Sequence, residues 1–366
     1  MKTQSRRSFL LQSAALAAAP FISTSVTRAL ARDSQRKLGV AICGLGSLST
    51  NQIAPALLKA ERCRLAGIVT DSPEKAGKWQ TEYDIPDRSV YTYDTMEKMA
   101  HNRDIDIVYI VTPNALHAEQ TMRAAKAGKH VFCEKPMEIS VERCQQMIDA
   151  CKAADRMLGV AYRCQFEPHH LECMRLAREK VFGAVRIVEA AFGVSITNPN
   201  EWRLKRALSG GGALMDVGIY ALQAARYLTG EEPVLVAGTE AKTDPVRYGE
   251  VDESVVWTSR FPSGAIAHCG TSYNTATVSN FRVSAENGWF GLDPAFFYSG
   301  NRGRRSDGQE IRFPEIDQFA AELDDFARCI EEKTPSRVRG EEGLRDVRIL
   351  MAIYESIRTG TAVKLA

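Results

Sequence analysis

Asp216 and Tyr220 are the two side chains whose types and spacing point most directly to chemistry. They stand four residues apart in a segment with a helical pattern, so both project from one face. A phenol with a pKa of about 10 is a poor base at neutral pH, but a neighbouring lysine ammonium lowers that pKa. Lys135 follows a predicted buried strand, and ligands bind at the carboxyl ends of such strands. We therefore predict Tyr220 as an acid/base, Lys135 as the group that tunes it and holds a substrate hydroxyl, and Asp216 as a residue that orients the substrate.

These three residues also permit a purely structural interpretation. Taken alone, Asp-x-x-x-Tyr is more simply explained by a half-buried tyrosine on a helix. A lysine after a strand is more simply explained as a surface charge. The surrounding motifs decide between the two interpretations, and they favour catalysis.

A glycine-rich loop directly follows the first predicted strand, in the stretch LGVAICGLGSLS. Gly44 and Gly46 allow a tight turn and bring backbone N–H groups close to a pyrophosphate at the next helix N-terminus. Ser47 and Leu48 continue the loop, and we assign all four residues to a dinucleotide site. The third glycine of such a motif is replaced by Ser49. Two glycines fit any strand–turn–helix, but their position at the start of an alternating pattern favours a cofactor.

The residues after the second predicted strand indicate which dinucleotide binds. NAD-specific domains place an acidic residue here, against the ribose hydroxyls. In the stretch VTDSPEKA, Thr70 stands at the strand end, with Ser72 and Lys75 close behind. Hydroxyls and a positive charge suit the 2′-phosphate of NADP. Asp71 argues the other way, because it repels that phosphate or binds a bare ribose. We predict NADP(H).

Strands alternate with helices from residue 38 to residue 163. Short apolar runs rich in valine and isoleucine are typical of buried parallel strands; they are LGVAIC, CRLAGIV, IDIVYIV, HVFCE and MLGVAY. This rhythm predicts a Rossmann domain with a doubly wound parallel sheet. The second half instead shows alternating runs with hairpin signals at residues 262–264 and 287–288. Amphipathic helices are predicted over 318–332 and 343–358. The fold class is therefore α/β followed by α+β.

Four further stretches carry a family resemblance: VTPNALHAE, AGKHVFCEKPM, GVAYRCQFEP and WRLKRALSGGGALMDVGIY. Through them the chain resembles the Gfo/Idh/MocA oxidoreductases, from about residue 38 nearly to its end. The tripeptide at 202–204 and the tyrosine of DVGIY are similar to the branch that acts on sugars. The resemblance implies a large, mostly antiparallel open sheet in the second domain and a cofactor in the cleft between the domains. It also implies sugar substrates and a catalytic set at Lys135, Asp216 and Tyr220.

The resemblance implies further residues of the cofactor and sugar site. Pro113, Asn114 and His117 match the fourth-strand loop, which passes the ribose and nicotinamide. Glu134 matches a contact to the nicotinamide ribose. Three further positions match residues used in cofactor or sugar binding: Arg163, Trp202 and Arg203. Tyr93 and Tyr298 also match, but in less distinctive stretches. Two structural alternatives stay open, since Asn114 could cap the next helix and Trp202 could simply pack in the cleft.

The N-terminus resembles a twin-arginine export signal. Arg6 and Arg7 precede an apolar run over residues 9–22, and a small-residue cleavage site follows at residues 29–31. The run is too short and alanine-rich for a membrane span. We predict a signal peptide at 1–31, an NADP-binding domain at 32–163 and a substrate and oligomerisation domain at 164–366. The twin-arginine machinery would place the folded protein in the periplasm; an unstructured basic tail is the alternative.

Composition narrows the function classes. A net charge of +2 gives no basic excess for nucleic acid. The nine cysteines lack metal-type spacing, and folding before export would protect their thiols from an oxidising compartment. Four histidines are candidate ligands but lack the spacing of a metal site, so no metal is predicted. These are His117, His169, His170 and His268.

Export and a nicotinamide cofactor together predict an unusual reaction cycle. An exported enzyme that released NADPH would find no pool to reoxidise it. We therefore expect tightly bound NADP(H) and ping-pong chemistry, in which one aldose becomes a lactone and a second aldose or ketose becomes an alditol. A conventional NADP-dependent sugar dehydrogenase or reductase and a non-catalytic sugar or nucleotide sensor are the alternatives. An open sheet usually needs covering, so a homodimer or homotetramer is expected.

Overall fold

A computed structural model of the protein describes residues 36–365, so the predicted signal peptide lies outside the described residues. The first sheet contains the strands β1 (Leu38–Cys43), β2 (Cys63–Val69), β3 (Val90–Tyr91), β4 (Ile107–Ile110), β5 (His130–Glu134) and β6 (Leu158–Ala161). The six strands are all parallel, in the order β3-β2-β1-β4-β5-β6. This order, with β1 at the centre, is that of the predicted doubly wound sheet.

Helices and short helical turns connect these strands. The α-helices are α1 (Ala54–Lys59), α2 (Pro73–Tyr83), α3 (His117–Lys126) and α4 (Val141–Ala153). A π-helical turn, Ser49–Ile53, leads directly into α1, and 3-10 turns lie at Asp87–Ser89, Tyr93–His101 and Asn114–Leu116. The side chain of Ser72 caps α2 by accepting a hydrogen bond from the backbone N–H of Lys75, and Pro73 is the first helical residue.

The second half of the chain forms a nine-stranded sheet. Its strands are β7 (Val185–Ser195), β8 (Leu235–Ala241), β9 (Ser254–Arg260), β10 (Ile266–Ser272), β11 (Asn274–Ala285), β12 (Gly288–Leu292), β13 (Gly303–Arg305), β14 (Glu310–Ile311) and β15 (Val363–Lys364). The order is β14-β13-β12-β11-β7-β10-β9-β8-β15, and every pair except β7–β10 is antiparallel. Both predicted hairpins, β9–β10 and β11–β12, are confirmed, and so is the fold class.

The second half of the chain also contains helices, some of which cover one face of this sheet. They are α5 (Pro168–Arg178), α6 (Arg206–Ser209), α7 (Ile219–Thr229), α8 (Gln318–Glu332) and α9 (Gly340–Thr359), with a π-helical turn at Leu214–Gly218. Helix α7 packs against β7 and β10. Helix α8 has the predicted bounds, whereas α9 begins three residues before the predicted position 343. No helix within residues 36–365 is long and apolar enough to cross a membrane.

Strand alternation separates the two faces of the second sheet. Val255 and Trp257 point to the helix-covered face and are buried. Ile187, Val256 and Ile266 point to the opposite face and are exposed, and Ile187 and Ile266 are neighbours on adjacent strands. Helix α9 packs against both halves of the chain, with α4 and β6 on one side and β8 on the other. The two sheets therefore share one helical layer.

Candidate active site

Lys135 and Asp216 come together where β5 ends beside the π-helical turn that leads into α7. The Lys135 Nζ donates to the backbone carbonyl of Asp216 at 2.8 Å and lies 3.1 Å from its carboxylate Oδ1. The same ammonium lies 4.9 Å from the centre of the Tyr220 ring. The structure thus assembles the three residues singled out in the sequence, one from the parallel sheet and two from the helix that covers the second sheet. A π-helical turn within a helix is frequent at functional sites.

Both oxygens of the Asp216 carboxylate are occupied by protein donors. Oδ2 accepts hydrogen bonds from Arg203 Nε and from the hydroxyl of Tyr273, each at 2.9 Å, while Oδ1 faces Lys135. Burial alone would raise the pKa of Asp216, but the charges of Lys135 and Arg203 hold it well below its ordinary value. Asp216 therefore orients Lys135 and Arg203, and its role in orienting a substrate stays a prediction.

Lys135 remains a charged donor in this setting. Burial would lower the pKa of its ammonium, but Tyr220, Asp216 and Glu134 together hold that pKa above its ordinary value. An ammonium has three donors, of which the contacts with Asp216 engage only part. A substrate oxygen can therefore receive a hydrogen bond from Lys135, as the sequence predicted.

Tyr220 lies half-buried between aromatic rings and two cations. Its ring centre is 5.3 Å from that of Phe192 and 5.8 Å from that of Phe296, and the Arg163 guanidinium carbon is 4.8 Å from the ring. Burial raises the pKa of Tyr220 to about 12, although Arg163 and Lys135 each lower it. The lowering effect of Lys135 on this pKa, which the sequence predicts, is present, and burial outweighs it in the protein alone. Tyr220 is thus a neutral phenol, able to donate a proton.

Arg163 lies beneath Tyr220 rather than open to a ligand. Its guanidinium donates to the Phe296 carbonyl at 2.6 Å and to Gln318 Oε1 at 2.7 Å. It is sandwiched between the rings of Tyr220 and Tyr298, the latter at 4.7 Å. Arg163 therefore supports the Tyr220 ring from within the protein, and its contact with sugar or cofactor stays a prediction. Tyr298 is 46% exposed and stays accessible.

Trp202 and Arg203 lie together on a 3-10 turn. The Arg203 guanidinium carbon is 4.6 Å from the Trp202 ring, and its NH1 group donates to Glu201 at 2.8 Å. Both side chains are half-buried, so the indole combines packing with an accessible surface. Since Arg203 also holds Asp216, this turn connects the Trp-Arg motif to Lys135.

The loop after β4 gives a mixed outcome for the predicted cofactor residues. Pro113 is half-buried at its start. Asn114 donates to the carbonyl of Ser209 at 2.8 Å, so it joins the two halves of the chain and does not cap α3. Its buried amide serves this link, and its contact with a cofactor stays a prediction.

His117 is fully buried, and both of its ring nitrogens face backbone carbonyls; its contact with a cofactor stays a prediction. The Nε2 atom lies 2.8 Å from the carbonyl oxygen of Thr112. The Nδ1 atom lies 3.1 Å and 3.2 Å from the carbonyl oxygens of Pro136 and Met137. Burial lowers the pKa of the imidazole. His117 therefore ties the loop after β4 to the loop after β5, next to Lys135.

The glycine loop after β1 has the shape that a pyrophosphate requires. Gly44 has a φ of +100°, and a Cβ there would meet the Val111 carbonyl and Thr112 Cγ2 at 2.8 Å. A Cβ on Gly46 would meet no atom within 4 Å, so the space beside it is open. The Ser49 hydroxyl donates to the Gly44 carbonyl at 2.5 Å, which explains how a serine replaces the third glycine. Ser47 is exposed and Leu48 is half-buried beside it.

The loop after β2 fits a ribose phosphate. Thr70 Oγ1 accepts a hydrogen bond from the Ser72 backbone N–H at 3.2 Å, which shapes the turn. The Asp71 Oδ1 atom accepts from the backbone N–H of Tyr93 at 3.1 Å, so one carboxylate oxygen is already engaged. Lys75 is exposed and forms no ion pair with any described residue. Tyr93 is half-buried and contributes its backbone here, while its side chain packs against the core.

The sequence did not predict three other buried residues of the site. Tyr273 holds Asp216, while Tyr109 contacts Glu134 behind Lys135 and Glu322 contacts Tyr109. All three are separated from their partners by long stretches of chain, and none belongs to a recognisable motif. Within residues 36–365, no group of three or more histidine, cysteine, aspartate or glutamate side chains is arranged to hold a metal ion.

A glycine loop at the carboxyl edge of a doubly wound sheet, with a lysine and a tyrosine on the adjoining cleft, defines a nicotinamide-dependent oxidoreductase. Comparison with known families agrees: residues 38–162 match the oxidoreductase family with an NAD-binding Rossmann fold, and residues 170–291 match the GFO/IDH/MocA C-terminal domain. The chain belongs to the Gfo/Idh/MocA oxidoreductase family.

Individual relatives place the chain among enzymes of sugars. It is 33% identical to D-xylose 1-dehydrogenase (NADP(+)) of Haloarcula marismortui, over 89% of this chain and 92% of that protein. It is 25% identical to 1,5-anhydro-D-fructose reductase of Ensifer adhaerens, over 84% and 93%. The crystal structure of aldose–aldose oxidoreductase from Caulobacter crescentus, complexed with glycerol, superposes with a TM-score of 0.87 at 45% identity, covering 90% of this chain and 100% of that one. The predicted sugar-oxidoreductase branch is confirmed.

Proposed function

We propose that the protein is an NADP(H)-dependent aldose–aldose oxidoreductase, of the kind that also includes glucose–fructose oxidoreductases. The observation that carries the proposal is the contact of Lys135 with both Asp216 and Tyr220 at the carboxyl end of β5. The 45% identity to an aldose–aldose oxidoreductase over nearly the whole described chain supports the same activity. The first sugar is oxidised at C1 to a lactone, and the second is reduced to an alditol.

The side chains divide the proton and positioning tasks. When bound, the cofactor accepts a hydride from the first sugar and returns it to the second. Lys135 donates a hydrogen bond to the oxygen on C1 and stabilises the negative charge that develops there. Tyr220 takes the proton of the C1 hydroxyl during oxidation and donates it to the carbonyl oxygen during reduction. Tyr220 therefore starts the oxidation as the phenolate, becomes the neutral phenol when it takes the proton, and is the phenolate again once it has donated that proton in the reduction. The two half-reactions thus balance in hydrides and protons.

NADP(H) is the proposed cofactor. The hydroxyl of Ser72 and the ammonium of Lys75 stand at the end of β2, where the 2′-phosphate would lie, and Asp71 is partly engaged by Tyr93. The NADP-dependent xylose dehydrogenases among the relatives support this choice. We further propose that the cofactor stays bound through the cycle, because an exported enzyme has no pool that would reoxidise it.

Export by the twin-arginine route is part of the proposal. All nine cysteines are free and buried in the folded protein, which suits a protein that folds before it meets an oxidising compartment. Replacing both Arg6 and Arg7 with lysine should keep the protein in the cytoplasmic fraction, as an immunoblot of fractionated cells would show. Normal export of that variant would contradict the assignment.

Purified protein without added cofactor tests the central proposal. Xylose or glucose is supplied, and aldonic acid and alditol are measured together. Equal yields of both are expected, because each oxidation must be matched by a reduction on the same enzyme. Activity that requires added NADP and yields no alditol would identify a conventional dehydrogenase, which the likeness to xylose dehydrogenases favours as the second candidate. Sugar binding without any product would identify a sensor.

The same assay can be extended to a ketose as the second sugar, and the open sheet supports a separate proposal on assembly. Fructose added as the second sugar shows whether a ketose is accepted. Because Ile187, Val256 and Ile266 are large apolar side chains exposed on the open face of the sheet, we also propose that a second copy covers this face. A Val256→Lys variant should lower the mass measured by light scattering, whereas a monomeric wild type would contradict the proposed oligomer.

A further inference from the structure

A pair of buried carboxyl groups lies behind Lys135. Glu134, at the end of β5, and Glu322, on α8, both contact the hydroxyl of Tyr109 on β4. The Tyr109 oxygen is 2.8 Å from Glu134 Oε1 and 3.3 Å from Glu322 Oε1. The exposed fraction is 0% for Tyr109 and Glu322 and 7% for Glu134. Polar groups with so little access to water must satisfy one another.

Counting protons shows that one of the two acids is undissociated. A tyrosine hydroxyl carries one proton and donates it to one acceptor only. If Tyr109 donates to one carboxyl group, the other must donate its own proton to the Tyr109 oxygen. Two ionised carboxylates would leave one oxygen facing another with no proton between them. The contact geometry therefore requires a carboxylic acid at Glu134 or at Glu322.

The surrounding donors place the proton on Glu322. Glu134 makes the shorter contact with Tyr109, and its Oε2 accepts the backbone N–H of Lys135 at 3.1 Å. Glu322 has no second contact, since its Oε2 is buried and no described residue bonds to it. Leaving a buried oxygen without a hydrogen-bond donor costs the least free energy when that oxygen belongs to a neutral carboxyl group.

The other groups that face Glu322 agree with this assignment. Burial and the negative charge of Glu134 raise the pKa of Glu322 well above its ordinary value, and Cys164 adds to the rise. Arg163 and the hydrogen bond from Tyr109 act in the opposite direction. Arg163, however, directs its terminal nitrogens to the carbonyls of residues 296 and 297 and to Gln318, one turn before Glu322 on α8.

We propose that Glu322 is a positioning residue of the sugar oxidoreductase, held as an undissociated acid, and that the chain Glu322–Tyr109–Glu134 fixes the backbone at Lys135. Glu322 donates to Tyr109, Tyr109 donates to Glu134, and Glu134 accepts from the Lys135 N–H. The consequence for turnover rests on the proposed function of Lys135; the protonation state does not. When Glu322 loses its proton, the chain loses its first donor and two carboxylates face each other, so turnover should fall in alkali.

The protonation state is tested without turnover. Infrared difference spectra of the purified full-length protein at neutral pH compare the wild type with a Glu322→Gln variant. The carbonyl stretch of one undissociated carboxylic acid should disappear in the variant. A Glu332→Gln variant is the matched control, because Glu332 lies on the same helix, is exposed and pairs with Arg328, and it should leave that band intact. An unchanged band in Glu322→Gln would overturn the proposal even if the enzyme proved to be a sugar oxidoreductase.

Kinetics test the positioning role. Glu322→Leu removes the donor and should lower kcat about tenfold, the equivalent of one hydrogen bond. Glu322→Gln, whose amide can donate to the same oxygen, should restore most of that loss and remove the alkaline fall of the wild-type pH profile. Tyr109→Phe should reproduce the loss in Glu322→Leu, which covers the case in which the leucine variant fails to fold. Equal rates and pH profiles in the leucine and glutamine variants would show that Glu322 only fills space.

Discussion

The two ends of the cleft are built in opposite ways. At the catalytic end, Lys135, Asp216 and Arg203 are largely buried and hold one another through short charged contacts. At the nucleotide end, Gly46, Ser47 and Lys75 are exposed and contribute backbone shape and unpaired donors. The catalytic end is therefore organised in the free protein, whereas the donors of the nucleotide end become engaged only when the ligand binds.

This difference has an energetic consequence. Removing one partner of a buried charged pair leaves an uncompensated charge, which costs stability as well as activity. Removing an exposed donor costs little in the free protein and weakens only the complex. Substitutions at the catalytic end should therefore couple folding to turnover, and those at the nucleotide end should separate them. The predictions below use this contrast.

Replacing Lys135 with methionine should have the largest effect. Turnover should fall by about 10⁴-fold, because the donor to the C1 oxygen and the charge near Tyr220 are both lost. The free energy of unfolding should also fall, by about 3 kcal/mol. This loss lies at the low end of the range for breaking a buried ion pair, because Arg203 and Tyr273 still hold Asp216. Product assays and urea unfolding measure the two effects.

The double variant Lys135→Met/Asp216→Asn is the control for this prediction. It should recover much of the stability and none of the activity. The dependence of stability on pH also has a defined direction. The pKa of Asp216 is depressed in the folded protein, so its ion pair with Lys135 stabilises the fold above the unfolded pKa of about 3.9, and this stabilisation is lost as pH falls. The stability difference between wild type and Lys135→Met should shrink in acid. A constant difference would mean that the two charges are not coupled.

Tyr220→Phe should separate activity from stability at the catalytic end. Turnover should fall by about 10³-fold, while the ring keeps its packing against Phe192 and Phe296. Because burial raises the pKa of Tyr220 to about 12, sugar oxidation by the wild type should accelerate as pH rises above about 7, up to the pH at which Glu322 loses its proton and turnover falls. The Tyr220→Phe variant should lose this acceleration. Tyr227→Phe is the control, since its buried hydroxyl has no hydrogen-bond partner among the described residues. Substantial turnover by Tyr220→Phe would remove Tyr220 from the mechanism.

The contrast between the two ends also explains what could be predicted from the sequence. The nucleotide end depends on local features, so Gly44, Gly46 and the cap at Ser72 were found from short patterns. The apolar runs of β1, β4 and β5 are continuous because both faces of the sheet are covered, and they indicated strands without further information.

The catalytic end depends on contacts between distant parts of the chain. Tyr273 lies 57 residues from Asp216, and Glu322 lies 213 residues from Tyr109, so no local pattern indicated either contact. His117 carried a family signal, but its burial against the carbonyls of residues 136 and 137 is visible only in the fold. The pKa of Tyr220 shows the same limit, because the sequence indicates the lysine that lowers it and not the burial that raises it.

Gly44→Ala and Gly46→Ala should differ although both lie in one loop. An alanine at position 44 must adopt a φ of +100° and press on Thr112, which should cost about 1–3 kcal/mol of stability. An alanine at position 46 has open space around it and should leave the unfolding midpoint unchanged, while its methyl group obstructs the pyrophosphate and weakens cofactor binding. Unfolding curves and cofactor content of the purified variants test both statements. Equal stability losses would show that the space beside Gly46 is not open.

Lys75→Met should give the smallest effect and the most specific one. The affinity for NADPH should fall about tenfold, or ~1.4 kcal/mol, because an exposed cation near the 2′-phosphate is lost. The affinity for NADH, which lacks that phosphate, should hardly change. Lys78→Met removes an exposed charge from the same helix and should leave both affinities intact, as fluorescence titration of cofactor-stripped protein would show. If Lys75→Met weakened NADH and NADPH equally, the loop after β2 would bind the common part of the cofactor, and the choice between the two dinucleotides would have to come from Asp71 and Thr70.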